Sequence, residues 1–154
     1  MPIIAVLKGY CLGAGLEIAA ACDFRIGDSS VFCGMPEVRV GVPSVVEAVL
    51  LTDLVGWGKA KELMLRGNII DAEECLRIGL IEHLEDDEKL DLLLNEITAD
   101  ILSGGLGAIA SQKRLFRDWK GPQYDNAIRS GVDAFVKAYE TDEPRVKISK
   151  FFDN

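Results

Sequence analysis

The first apolar run of the chain, residues 2–8 (Pro-Ile-Ile-Ala-Val-Leu-Lys), is continuous and β-prone. A run of that kind predicts a central strand buried on both faces, with a neighbour on each side. Residues 9–15 are rich in glycine and read as a turn; 16–21 follow as a helix of barely two turns, and 23–26 and 31–33 as short strands. Strand, turn, helix and strand in that order imply an α/β layer. Glycine and proline punctuate 34–44, which reads as an ordered loop carrying Glu37, with Ser44 as the cap of a helix over 45–55. A further helix is expected over 59–65. Asp71, with Glu74 three residues on, makes a capping-box-like start for a helix that ends before Gly79, and 80–84 reads as a strand.

After Asp86 the period changes to that of a helix, with Leu90, Leu93, Leu94, Ile97 and Ile101 on one face until Gly104-Gly105-Leu106-Gly107 breaks the run. Three more helices are expected, over 108–119, 123–139 and 144–152. The glycine break divides the chain into a partial α/β core over 1–104 and a C-terminal helical region over 105–154.

Composition narrows the possible partners. The 154 residues are 49% hydrophobic, enough for a soluble globular unit with a core of its own. Seventeen basic against twenty-five acidic residues leave a net charge of -8, which repels nucleic acid and anionic lipid. Any phosphate-bearing ligand would have to be held locally, by helix termini or a few placed cations. Cys11, Cys22, Cys33 and Cys75 lie in apolar settings with no Cys-x-x-Cys pair and no histidine cluster. Reduced core thiols are expected, with neither a metal site nor a disulfide framework. Residues 3–7 are too short for a signal sequence, no apolar run approaches the roughly 18 residues that span a bilayer, and the last residues are not a Ser-Lys-Leu address; an intracellular protein is expected.

Candidate chemistry gathers at Gly13-Ala14-Gly15-Leu16-Glu17. Small residues let the main chain turn tightly and approach a ligand, and they leave N–H groups at a helix start without intrahelical partners. A carbonyl oxygen placed there would be stabilised as charge moved onto it, by about 2.7 to 4 kcal/mol per donor. Glu17 and Glu37 are the two carboxylates set beside glycine or proline backbone, and adding water across a conjugated double bond needs one base and one acid. Each also has an ordinary reading, Glu17 as a favourable charge on a helix first turn and Glu37 as a solvated loop acid. A dinucleotide-binding turn is the competing functional reading, but Ile18 stands where its third glycine belongs and the helix ends by Cys22. His83, flanked by Glu82 and Glu85 with no nucleophile in a recognisable setting, reads as a surface residue. Lys113, Arg114, Arg117 and Lys120 read as a solvated basic helix face or one that meets an acidic partner.

Several motifs in order carry a resemblance to a known family: Ile-Ala-Val-Leu-Lys-Gly-Tyr-Cys-Leu-Gly-Ala-Gly-Leu-Glu at 4–17, Ala-Cys-Asp-Phe-Arg-Ile at 21–26, and Phe-Cys-Gly-Met-Pro-Glu-Val-Arg-Val-Gly at 32–41. Residues 54–67, 70–75 and 78–81 add to it, so that it covers nearly the whole chain. The chain resembles the crotonase superfamily, the enoyl-CoA hydratases and isomerases, without that family's N-terminal half. The resemblance implies a partial ClpP/crotonase-like spiral of ββα units with a C-terminal helical region for oligomerisation as a trimer or dimer of trimers. It also implies action on acyl-CoA thioesters, with no metal and no cofactor beyond the coenzyme A of the substrate.

Carried over by position, Ala14 matches the residue whose N–H is one half of the oxyanion hole, with Gly13, Gly15 and Gly41 as its substrate-binding surroundings. Glu17 and Glu37 match the two catalytic glutamates. In that analogy Glu17 deprotonates the water that attacks Cβ, and Glu37 delivers a proton to Cα; in isomerases the position of Glu37 shuttles the proton alone. After Gly41 the hydratase pattern Pro-Gly-x-Gly-Gly-Thr gives way to Pro43-Ser-Val-Val-Glu-Ala, a departure that bears on the glycine amide that positions water and on Glu47. Phe151 matches an aromatic of the family's last helix. The sequence thus points to an enoyl-CoA hydratase or isomerase, with a catalytically inactive truncated homologue or assembly subunit as the alternative.

Overall fold

The computed structural model describes residues 1–152, with the side chain of Phe151 outside the described residues. The chain alternates strand, strand and helix. Strand β1 (Ile4–Leu7) turns at Gly9, φ 63°, into β2 (Tyr10–Leu12), and helix α1 (Ala14–Ala21) follows at once. The stretch expected to be only a turn therefore contains a strand. The unit repeats in β3 (Phe24–Gly27) and β4 (Phe32–Gly34), a 3-10 turn over Pro36–Val40, and helix α2 (Leu50–Arg66). Strand β5 (Ile69–Asp71), helix α3 (Ala72–Arg77) and strand β6 (His83–Leu84) complete the sheets.

First strands go to one sheet, in the order β1-β3-β6, and second strands to another, in the order β2-β4-β5. All pairings are parallel except β4 with β5. Parallel pairing with helical crossovers is what a repeated ββα unit must produce, because each repeat lays one strand on each sheet. The core lies between the sheets and the helices, built from Leu16 and Ala19 of α1, Leu51 and Ala60 of α2, and Val31, Cys33, Leu80 and Ile81. Arg25, on β3, is buried at the C-terminal end of α1. Its guanidinium donates to the carbonyls of Cys22 (3.0 Å), Leu80 (3.1 Å) and Ala19 (3.3 Å) and pairs with Glu82. A cation is favourable at those carbonyls, and its full set of partners offsets the cost of burying it.

Three expectations are corrected. Among the described residues β1 pairs with β3 alone, and Ile3 and Val6 are exposed where burial on both faces was expected. Ser44 caps no helix: Val45 and Val46 are β-branched and poor helix starters, and α2 begins only at Leu50. The two helices read over 45–55 and 59–65 are present as the two arms of α2, separated by non-helical backbone at Gly56 with φ of 73°, although the first begins only at Leu50. The strand read over 80–84 is reduced to His83–Leu84. Asp71 does cap α3, accepting from the Glu74 N–H at 2.9 Å.

Helices α4 (Asp87–Ser103), α5 (Leu106–Lys120), α6 (Pro122–Ala138) and α7 (Glu143–Phe152) end the chain, with a bend of 102° between α4 and α5 where the glycine break was read. No single helix among the described residues is long and apolar enough to cross a membrane. The helical region is tied to the sheets at specific points. Lys113 bonds Asp23 (2.7 Å) and the carbonyl of Met1 (2.8 Å), so it is an anchor and not part of a solvated basic face. Tyr124 packs on the core, and Pro144 is fully buried.

Candidate active site

The N-terminal turn of α1 is built by Gly13. Its N–H donates to Gly34 O at 2.9 Å, which hangs the turn on β4, and its carbonyl accepts from Glu17 N at 3.0 Å, which closes the first helical turn. A φ of 54° with ψ of -127° lets the chain make this corner, and glycine adopts that conformation at least cost. Ala14 is exposed at the first helical position, and among the described residues no acceptor is bonded to its N–H. Gly15 is equally open, with no atom within 4 Å of where a Cβ would be.

Glu17 projects from this turn and is buried, 3% exposed. Its Oε2 accepts from the main-chain N–H of Glu47 at 3.3 Å. Burial raises its pKa above the ordinary carboxylate range; the Glu47 N–H opposes that shift, and the charges of Glu37 and Glu47 add to it. Glu37 reaches the same corner from the 3-10 turn. Its Oε2 accepts from Ser44 Oγ at 2.9 Å, and its Oε1 fills the space that a Cβ on Gly13 would occupy.

The structure therefore brings Gly13, Ala14, Gly15, Glu17 and Glu37 to one corner. Gly41 lies at the other end of the 3-10 turn: its N–H donates to Val38 O at 3.3 Å, and its Cα face lies against Glu143 and Pro144 of α7, where a Cβ would come within 3.1 Å. Sequence reasoning missed the hydroxyl of Ser44, which was given to a helix cap although it lies only seven residues from the acid it serves. It also missed the Glu47 N–H on Glu17, for which the departure after Gly41 was the sole signal.

Beside this corner lies a cavity of about 510 Å³ lined by Ala21, Glu47, Leu50, Arg117, Lys120 and Tyr124 among others. His83 is exposed on β6, as expected. The cysteines are free thiols; Cys33 and Cys75 are buried, and Cys11 faces Cys33 across β2 and β4. Hydrogen bonding to Cys11 and Cys75, with burial, pushes the Cys33 thiol up. No group of three or more His, Cys, Asp or Glu among the described residues is arranged to hold a metal ion.

An acid pair beside a free helix-start N–H is an arrangement that can polarise a carbonyl and move protons next to it. The sequence model of the family described as Enoyl-CoA hydratase/isomerase matches residues 1–152. The chain is 34% identical over 153 residues to a Crotonyl-CoA hydratase of Syntrophomonas wolfei, covering 99% of this chain and 59% of that protein. It is 41% identical over 132 residues to a Short-chain-enoyl-CoA hydratase of Clostridioides difficile, covering 85% of this chain and 82% of that protein. The crystal structure of an enoyl-CoA hydratase/isomerase from Pseudoalteromonas atlantica superposes with a TM-score of 0.92 at 26% identity, over 99% of this chain and 62% of that one. This likeness bears out the ββα spiral expected from the motifs. The chain spans about three fifths of the length of the first of these relatives.

Proposed function

Since the chain belongs to the enoyl-CoA hydratase/isomerase family, we propose that it adds water reversibly across the conjugated double bond of a 2-enoyl-CoA thioester. The observation that carries this reading is the convergence of Glu17 and Glu37 on the turn where the Ala14 N–H is free. In the proposed reaction the thioester carbonyl accepts from Ala14, and the N-terminal end of α1 stabilises the enolate that forms. Glu17 takes the proton of the water that attacks Cβ, and Glu37 gives a proton to Cα; its carboxyl is aimed by Ser44 Oγ. The addition is redox neutral, so coenzyme A enters only as part of the substrate. A carboxylate whose burial raises its pKa is a stronger base than a solvated one, which suits Glu17 to this role.

The test is loss of the conjugated thioester absorbance on incubation with a short 2-enoyl-CoA. Turnover is expected, and Glu37→Gln should abolish it together with conversion of a 3-enoyl-CoA to its 2-enoyl isomer. Absence of turnover with either substrate would sink the enzymatic reading and leave a non-catalytic assembly subunit. Isomerisation without hydration would leave Glu37 as the sole proton carrier.

Assembly with further copies of the chain is part of the proposal. Helices α5 and α6 bury no residue, and Val132, Phe135 and Val136 of α6, with Tyr139 at its C-terminal cap, form an exposed apolar stripe at helical spacing. Such a stripe is stable when another surface covers it. Light scattering is expected to give the mass of a trimer or a dimer of trimers, and Val136→Glu to lower it to that of one chain. A monomeric wild type would refute this part. The free thiols suit a reducing, intracellular setting.

A further inference from the structure

Glu47 stands in the segment where the sequence departs from the hydratase glycine pattern. That segment is not free to move. Helix α6 crosses it so closely that a Cβ on Gly131 would lie 2.7 Å from Val45 O, and a tight turn follows, closed by Leu50 N on Glu47 O at 2.9 Å. Held this way, Glu47 does two things at once. Its N–H meets Glu17 Oε2 at 3.3 Å, the one hydrogen bond to that carboxylate among the described residues, and its side chain lines the adjoining cavity. A buried carboxylate offers about four acceptor sites. With a single donor on it, Glu17 depends on that donor for its orientation; burial raises its pKa, and the charges of Glu37 and Glu47 add to that shift.

Resting on the hydratase reading, we propose that Glu47 is a positioning residue for Glu17: its main-chain N–H, 3.3 Å from Oε2, aims the carboxylate, and the same contact brings a second acid next to Glu17. The charged groups that face Glu17 are Glu37, from the 3-10 turn, and Glu47 itself; α1, β2 and α2 place none against it among the described residues. Around Glu47 the cavity carries Arg117, Asp118 and Lys120 of α5 and Asp125 of α6, a balanced set of two cations and two anions.

Glu47→Gln keeps the N–H and the side-chain size and removes the charge. Loss of a like charge favours the ionised form of Glu17, so its titration moves down. The experiment follows the side-chain carboxyl resonances of 13C-glutamate-labelled protein against pH, with Glu17 assigned by its absence in Glu17→Gln. It also records the acidic limb of kcat/KM for a short 2-enoyl-CoA. Both are expected to shift down together in Glu47→Gln and to return toward wild type in Glu47→Asp, which restores the charge. An unmoved Glu17 titration in Glu47→Gln would overturn the proposal, as would a moved titration with an unmoved acidic limb in active enzyme. The carboxyl titration needs no turnover, so an inactive wild type refutes the hydratase reading separately, and the coupling of Glu47 to Glu17 is still decided.

Discussion

Glu17→Gln is expected to lower kcat/KM for hydration of a short 2-enoyl-CoA by about 10³-fold, the scale on which a positioned general base contributes, and at the same time to raise the melting temperature at pH 7. The two effects have one cause. Glu17 is almost wholly removed from water and receives a single hydrogen bond, so its charged form is held at a cost that Gln does not bear. The sign follows from its pKa, which is raised in the folded protein. Below the ordinary glutamate value of about 4.3 the group is protonated in both states. The stability it contributes there is lost as pH rises through the higher folded value, so the wild type carries a penalty on the neutral side that it does not carry in acid. The difference in melting temperature should therefore be largest at pH 7 and shrink toward pH 4. Steady-state kinetics and thermal melts over that range check both parts. A variant that kept its activity would remove Glu17 from the mechanism, and one that melted lower at pH 7 would show that its charge is better satisfied than the geometry indicates.

The second large effect is expected at Gly13. Gly13→Ala forces a side chain into a conformation with φ of 54° and ψ of -127°, a strain of about 1–3 kcal/mol. It also drives a Cβ into the space held by Glu37 Oε1. Glu37 Oε1 must give way, which turns the carboxyl out of the place where it lies against the α1 turn. Displacing a reacting group by about 1 Å costs on the order of 10²-fold in rate, so hydration should fall by about that factor even well below the melting temperature. Gly58→Ala is the control, since no atom lies within 4 Å of the position and alanine is the better helix former. It should melt at or above the wild-type temperature. If Gly13→Ala kept both its melting temperature and its rate, Glu37 would not rest against the α1 turn.

Much of the fold could be read from the chain because it depends on neighbours three or four residues away. The Asp71 cap on Glu74 N, the break at Gly104 and the four C-terminal helices are of this kind, since capping and helical periodicity act within one or two turns. The corner at Gly13 was legible for a related reason: small residues before a helix mark a tight approach wherever the chain goes afterwards. Residue type and motif order singled out Glu17 and Glu37, and the fold brings them together.

Other features were invisible because they exist only through a partner far along the chain. Strand β5 is three residues between two helices and is a strand only because β4 pairs with it. The pairing of β1 with β3 and of β3 with β6 depends on sheet order, which no local pattern encodes. Lys113 looked like a surface charge until the fold placed Asp23, 90 residues away, beside it. The sequence by itself determined the helices, the glycine corner and the identity of the two acids, because propensity and turn chemistry are local. Only the tertiary structure decided that Glu17 is buried, that Ser44 serves Glu37, and that Glu47 reaches across 30 residues to hold Glu17. Burial and long-range hydrogen bonds arise when packed elements exclude water and bring distant groups within bonding distance, and these contacts set how strongly Glu17 holds its proton.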